Sequence, residues 1–184
     1  MDGAEAYGRF LAGDDGGLEE VIEIYKDSLI NFLTQYVRSY EIAEELTEET
    51  FITLYVRRPQ FAESAKFRTW LYTIARNKAL NYLRSAAFRK SVPIIEAACA
   101  ASLDCPEQRL MKQERYRTLY SAIGKLRKNQ REMVYLVYFE EMSVSQAAAV
   151  LRKTQRQGIA ILYRARQNLR DILEREGFDN ENYS

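Results

Sequence analysis

Apolar residues recur every three or four positions along most of the chain, which is the spacing of one face of an α-helix. The first clear run begins at Leu18 and predicts an amphipathic helix of about five turns. A second helix is predicted over residues 41–57 and ends before Pro59. A third is predicted over KFRTWLYTIARNKALNYLRS, with Ser64 as its expected N-cap. Few segments alternate as strands do, so the pattern predicts an all-α fold.

The helical periodicity is lost in the stretch AAFRKSVPIIEAACAASLDCP and returns at Glu107. We therefore predict two small helical domains joined by a flexible linker. The predicted divisions are a loose N-terminal lead-in over 1–17, a first domain over 18–88, the linker over 89–106, a second domain over 107–176 and a tail over 177–184.

The second domain contains the pattern of a helix-turn-helix. Ser143 is a good N-cap for a short helix that ends near Leu151, and Thr154 is a good N-cap for a longer helix. The outer side of the longer helix is rich in Arg and Gln, which can pair with guanine and adenine edges in duplex DNA. An ordinary helical hairpin with a solvated basic face is the alternative interpretation.

Composition excludes several classes of site. The chain has 184 residues, with 47% hydrophobic residues, 8 Gly and 3 Pro, which is typical of a folded globular protein. It has no His and only two Cys, Cys99 and Cys105, so Ser-His-Asp catalysis, His-ligated zinc and a four-thiolate zinc site are excluded. We expect a protein that is not an enzyme and needs no metal or cofactor. With no signal peptide and no apolar run of membrane-spanning length, we also expect a cytoplasmic protein without membrane insertion.

The charges nearly cancel overall but are segregated along the chain. Lys and Arg number 27 and Asp and Glu 26, for a net charge of +1. The segment EIAEELTEE holds five Glu and no basic residue, whereas residues 66–90 and 142–170 are basic and contain no acid. A solvated helix surface usually mixes signs, so the pattern favours one acidic surface for a protein partner and two basic surfaces for DNA. Solvated helix faces remain the alternative for each segment.

The third predicted helix interleaves cations and amides with aromatic residues. Such a mixture suits single-stranded or partly opened DNA, because bases stack on rings, amides read base edges and cations hold the backbone. For Phe67, Trp70 and Tyr82, each taken alone, a place in the core is the simpler interpretation.

Two longer blocks resemble a known family. EIAEELTEETFITLYVRRPQF followed by FRTWLYTIARNKALNYLR resembles region two of the extracytoplasmic-function (ECF) sigma factors of bacterial RNA polymerase, and LRKNQREMVYLVYFEEMSVSQAAAVLRKTQRQGIAILYRARQNLR resembles their region four. The resemblance covers most of residues 18–175. It implies a promoter-specificity subunit whose partners are core RNA polymerase, promoter DNA and an anti-sigma factor.

The resemblance also implies roles for individual residues. The expected contacts with core polymerase are Glu44, Glu45, Leu46, Glu48, Glu49 and Phe51. The expected contacts with the minus-ten element are Phe61, Ser64, Trp70, Arg76, Asn77 and Asn81. The expected contacts with the minus-thirty-five element are Lys153, Thr154, Arg156, Gln157, Ala160, Tyr163 and Arg164.

The chain departs from the family pattern at four positions. The family usually has Gly in the turn where this chain has Arg152, and a branched residue where it has Gly158. It often has basic residues near Ile159 and Ile161. We expect Ile161 to fill the space left by Gly158.

The sequence therefore predicts a sigma factor that binds core polymerase and directs promoter recognition. The main alternative is a stand-alone helix-turn-helix regulator that binds duplex DNA as a dimer, which would have no affinity for core polymerase. A helical protein-interaction module without a DNA role is a weaker alternative, because residues 66–90 and 142–170 are free of acids.

Overall fold

The structure is a computed structural model, and it describes residues 3–60, 66–90 and 110–176. All regular elements in these ranges are helical, which confirms the predicted all-α fold. They are α1 (Gly3–Leu11), α2 (Gly16–Val37), α3 (Tyr40–Arg57), α4 (Phe67–Lys90), α5 (Leu110–Lys125), α6 (Lys128–Val134), a π-helical turn (Tyr135–Phe139), α7 (Val144–Val150) and α8 (Gln155–Arg175). None of the helices described here is both long and apolar enough to cross a membrane.

The chain divides into two compact units, Met1–Ala101 and Ser102–Ser184. The division falls within the predicted linker, and the described residues of each unit are helical. Apart from the backbone at 89–90, the linker lies outside the described residues. So do both cysteines and the tail. The predicted boundaries at 88, 106 and 107 therefore remain predictions.

The N-terminal unit is built around α2, which packs against α1, α3 and α4. Its buried side chains include Leu29, Phe32 and Leu33, each with no exposed surface. α3 begins where the Ser39 hydroxyl accepts a hydrogen bond from the Ile42 backbone N–H. These features confirm the first two predicted helices to within a few residues.

The prediction of a loose lead-in over residues 1–17 is wrong, because Gly3–Leu11 forms α1. Tyr7 and Phe10 have no exposed surface, and the Tyr7 hydroxyl donates to the Pro59 carbonyl oxygen at 2.8 Å. Gly17 permits the close approach of α1, since a Cβ there would lie 2.2 Å from the Ala6 carbonyl oxygen. Four buried residues, one of them a glycine, in a short acidic segment give too weak a periodic signal to predict this helix.

The C-terminal unit is organised around α8, which packs against α5, α6 and α7. Buried Gln130 is paired across this unit, since the Asn168 side-chain amide donates to Gln130 Oε1 at 3.0 Å. The predicted helix-turn-helix is present as α7 and α8. α8 ends at Arg175, close to the predicted end of helical structure at Glu176.

Candidate functional site

The acidic residues of α3 lie on one exposed side of the helix. Two of them form salt bridges, Glu44 with Lys26 at 3.9 Å and Glu49 with Lys78 at 3.5 Å. Within the described residues Glu45 and Glu48 form none, and both are exposed. The helix thus keeps uncompensated negative charge where a basic surface can reach it.

The same side of α3 becomes apolar toward its C-terminus. Ile52, Tyr55 and Val56 are 58%, 55% and 70% exposed. Ile52, Tyr55 and Val56 each lie seven residues after one of Glu45, Glu48 and Glu49, which is two helical turns further along the same side. The charged and apolar groups therefore form one continuous helix face. We call the six residues the α3 face. The sequence analysis did not predict the apolar half of this face. It could have been found from the helical spacing, which puts Ile52, Tyr55 and Val56 on the side of the Glu residues and not on the side of the buried residues.

The structure corrects the prediction for Leu46 and Phe51. Their side chains are only 5% and 6% exposed and point into the N-terminal unit. The neighbouring hydroxyls of Thr47 and Thr50 are also buried, and each donates to the carbonyl oxygen four residues earlier at 2.8 Å. Leu46 and Phe51 therefore hold α3 against the core and do not offer a surface to a partner.

The predicted minus-ten residues of α4 share one side of the helix. Trp70, Asn77 and Asn81 are separated by seven and four residues, which places them in line along α4. Asn81 is exposed, and its Oδ1 accepts a hydrogen bond from Arg84. Arg76 lies about 100° around the helix from Asn77 and is half-buried, whereas Arg84 lies close to the row. The structure thus brings an aromatic ring, two amides and a cation onto one helical surface.

Trp70 is held in place by an aromatic cluster. Its ring centroid lies 5.5 Å from those of both Tyr7 and Phe67. Phe67 is only 2% exposed, so the core interpretation of that ring is confirmed, whereas Trp70 keeps part of its surface accessible. Phe61 and Ser64, the latter also the predicted N-cap of α4, lie outside the described residues.

The helix-turn-helix is fixed by a capping box at the start of each helix. The Ser143 hydroxyl accepts the Gln146 backbone N–H while the Gln146 side chain accepts the Ser143 N–H, and Thr154 and Gln157 make the same pair of bonds. In the turn, Arg152 adopts a left-handed conformation with φ of 55°. This explains why glycine is usual there, since a residue with a Cβ is strained in that conformation.

The expectation that Ile161 fills a space left by Gly158 is wrong, because no space is left. Gly158 is buried, and a Cβ there would lie 2.7 Å from Ala148 Cβ and 3.2 Å from Met133 Cε. Glycine therefore lets α7 and α8 approach more closely than a branched residue would. Ala148 of α7, not Ile161, occupies the position that such a side chain would take.

The outer face of α8 carries most of the predicted minus-thirty-five residues. These exposed residues are Lys153, in the turn, and Arg156, Ala160, Tyr163 and Arg164. Thr154 and Gln157 are exposed too, but their side chains form the cap. A bidentate Gln157–adenine contact would need the oxygen that now accepts the Thr154 N–H. Ile159, which is 54% exposed on the same face, was not among the residues predicted to contact the minus-thirty-five element.

Comparison with known proteins agrees with this architecture. Residues 21–89 match the family model for sigma-70 region 2. The chain is 26% identical over 159 residues to the ECF RNA polymerase sigma factor SigM of Bacillus subtilis, covering 86% of this chain and 96% of that one. It is also 26% identical over 173 residues to the ECF sigma factor SigW of the same organism, covering 88% and 91%.

A solved structure shows the same fold. It is the sigma factor RpoE of Bartonella quintana in complex with the anti-sigma factor NepR, which superposes with a TM-score of 0.68 at 20% identity over 85% of this chain and 96% of that one. The region 2 match, the near-full-length relatives and the two helical units agree: the chain contains a sigma-70 region 2 and is similar over most of its length to the ECF sigma factors of bacterial RNA polymerase.

Proposed function

We propose that this chain binds core RNA polymerase through the α3 face and directs the polymerase to promoters. The observation that carries the proposal is the α3 face itself, where Glu45 and Glu48 adjoin exposed Ile52, Tyr55 and Val56. Neither Glu forms a salt bridge with another residue in the described part of the chain. An exposed charged patch beside an exposed apolar patch is typical of a protein interface rather than of a solvated helix. A basic partner surface with apolar side chains would complement it.

Two further surfaces would read DNA. The side of α4 that carries Trp70, Asn77 and Asn81 suits unstacked bases of the minus-ten element, since a ring can stack on a base and amides can pair with its edge. The outer face of α8 suits duplex DNA at the minus-thirty-five element, with Arg156 and Arg164 as base or phosphate contacts. Phe61 and Ser64 would take part at the minus-ten element.

This function needs no catalytic group in the chain. The sigma factor family is not an enzyme family, and we propose that this member acts only by binding. It would work in the cytoplasm, where core polymerase and promoters are found. The relative RpoE is bound to an anti-sigma factor in its solved structure, and we propose that this chain is also held by an anti-sigma factor.

Charge reversal tests the α3 face directly. We expect Glu45→Lys combined with Glu48→Lys to weaken binding to core polymerase by at least about tenfold, because two carboxylates would be replaced by like charges against a basic surface. Binding of the full chain to a duplex minus-thirty-five fragment should not weaken. Both affinities can be measured by fluorescence anisotropy with labelled protein or labelled DNA.

The matched control reverses the same number of charges on the same unit. Glu23 and Asp27 are exposed on α2 and lie outside the α3 face, four residues apart where Glu45 and Glu48 are three apart. Glu23→Lys combined with Asp27→Lys should leave core binding near the wild-type value. Equal losses in the two double variants would show that net charge, not the α3 face, governs the association.

A further inference from the structure

Ile159 occupies an unusual place on α8. It is an aliphatic residue with 54% of its surface exposed, on the second turn of the helix, and it lies three residues after Arg156 and four before Tyr163. Its direction is set by its neighbours, because Gly158 is pinned against Ala148 and the capping box fixes the first turn. Burial of Gly158 therefore turns Ile159 outward.

The surroundings of Ile159 are basic. Arg152, Lys153, Arg156 and Arg164 are exposed, and no Asp or Glu occurs between residues 142 and 170. Such a surface attracts the phosphate backbone of DNA and disfavours a basic or strongly apolar protein partner. Ile159 lies beside Arg156 and Tyr163 on this surface, so it would meet base edges if α8 entered the major groove.

The chemistry of isoleucine limits what it can recognise. It has no hydrogen-bonding group, so it can contribute only apolar contact, and the C5 methyl of thymine is the apolar group that base edges present in the major groove. We propose that Ile159 contacts a thymine methyl in the duplex upstream element and is a specificity determinant of this chain. The proposal rests on the proposed function, since it requires α8 to enter the major groove.

The test begins with the full chain bound to core polymerase. This holoenzyme selects promoter fragments from a library randomised in the upstream element, and each thymine of the selected site is then replaced singly by deoxyuridine, which removes only the methyl group. At one position we expect wild-type affinity to fall by about fourfold, the effect of losing one buried methyl-sized group. Ile159→Ala should bind thymine and deoxyuridine at that position equally.

Ile161→Ala is the matched control, because Ile161 lies on the same helix but is half-buried to one side of the outer face. This variant should keep the wild-type ratio of thymine to deoxyuridine affinity, and the ratio is unaffected by a change in the folded fraction. No sensitive thymine in the wild type, or equal sensitivity in Ile159→Ala, would overturn the inference while leaving the proposed function intact. Failure of the holoenzyme to form would overturn the proposed function, and this inference with it.

Discussion

Tyr7 of α1 contacts Pro59, which follows α3, and two rings of α4. These contacts lie before and after Phe61 and Ser64 in the sequence. Its hydroxyl donates to the Pro59 carbonyl oxygen, and its ring packs against Phe67 and Trp70, with centroid distances of 5.2 and 5.5 Å. Burial raises the pKa of Tyr7 to about 12, although Arg58 partly opposes this increase. Because the folded state favours the protonated hydroxyl of Tyr7, the free energy of unfolding of this unit depends on pH.

We predict that Tyr7→Phe lowers the free energy of unfolding of the N-terminal unit by about 1 kcal/mol at pH 8, through loss of the hydrogen bond to Pro59. The unfolded chain loses the tyrosine proton near pH 10, whereas the folded chain holds it to about pH 12. Wild-type stability from this group is thus complete below pH 10 and declines as the pH rises toward 12.

The advantage of wild type over Tyr7→Phe should accordingly shrink above pH 10 and change sign before pH 12, because deprotonation of the buried hydroxyl costs more than the hydrogen bond contributes. Trp70 is the sole tryptophan of the chain, so its fluorescence during denaturation reports on this unit. A difference that stays constant from pH 8 to pH 11.5 would contradict the role assigned to the Tyr7 hydroxyl.

Gly158 shows how one residue sets the packing of two helices. We predict that Gly158→Ala destabilises the C-terminal unit by about 1–2 kcal/mol, because the new methyl group would meet Ala148 Cβ. Adding Ala148→Gly should recover part of the loss. Amide hydrogen exchange in α7 and α8 measures both effects.

Gly124 provides the control for Gly158. It lies exposed in α5 with no atom within 4 Å of an added Cβ, so Gly124→Ala should stabilise its helix by up to about 1 kcal/mol. If both alanines were stabilising, helix propensity would outweigh the contact with Ala148, and the close approach of α7 and α8 would not require glycine.

At the scale of helices, local signals predicted most of the fold. Ser143 and Thr154 mark helix starts with side-chain caps, and Pro59 follows the end of α3, as the sequence indicated. Ser39, which caps α3, was not predicted. α1 was not predictable in this way, because its burial depends on rings contributed by α4 and on the close approach allowed by Gly17. Helical periodicity puts Leu46 and Leu54 opposite the Glu residues. Leu46 and Phe51 were predicted as contacts only by the resemblance, which carries over a contiguous segment that includes residues of both helix faces.

The side of α4 that we propose to face DNA leads to a prediction about promoter opening. We expect Asn77→Ala to slow open-complex formation by about tenfold, because an amide that pairs with an exposed base edge is lost. Binding to duplex promoter DNA should change far less, since the base edge is unavailable before melting. Asn31→Ala, at an exposed position on α2, is the control and should affect neither step.

Permanganate reactivity of unpaired thymines follows opening, and filter binding at low temperature follows the closed complex. Equal losses in the two measurements for Asn77→Ala would contradict the assignment of this residue to the opened strand.

For the whole molecule, the balance of 27 basic and 26 acidic residues is a cancellation between surfaces. The α3 face carries exposed Glu, whereas α8 presents Arg156 and Arg164 without any acid nearby in sequence. Phosphate neutralisation dominates affinity for DNA, so a nearly neutral chain is expected to bind free DNA weakly. Promoter recognition would then depend on core polymerase carrying the chain to DNA.

In vitro transcription tests this central claim most directly. Purified core polymerase, with and without the chain, is given a library of genomic fragments from the organism that encodes the chain, and the 5′ ends of the transcripts are sequenced. We predict a set of start sites that appears only when the chain is present and that shares upstream elements near minus ten and minus thirty-five. Identical transcripts with and without the chain, together with no association between the chain and core polymerase, would contradict the account.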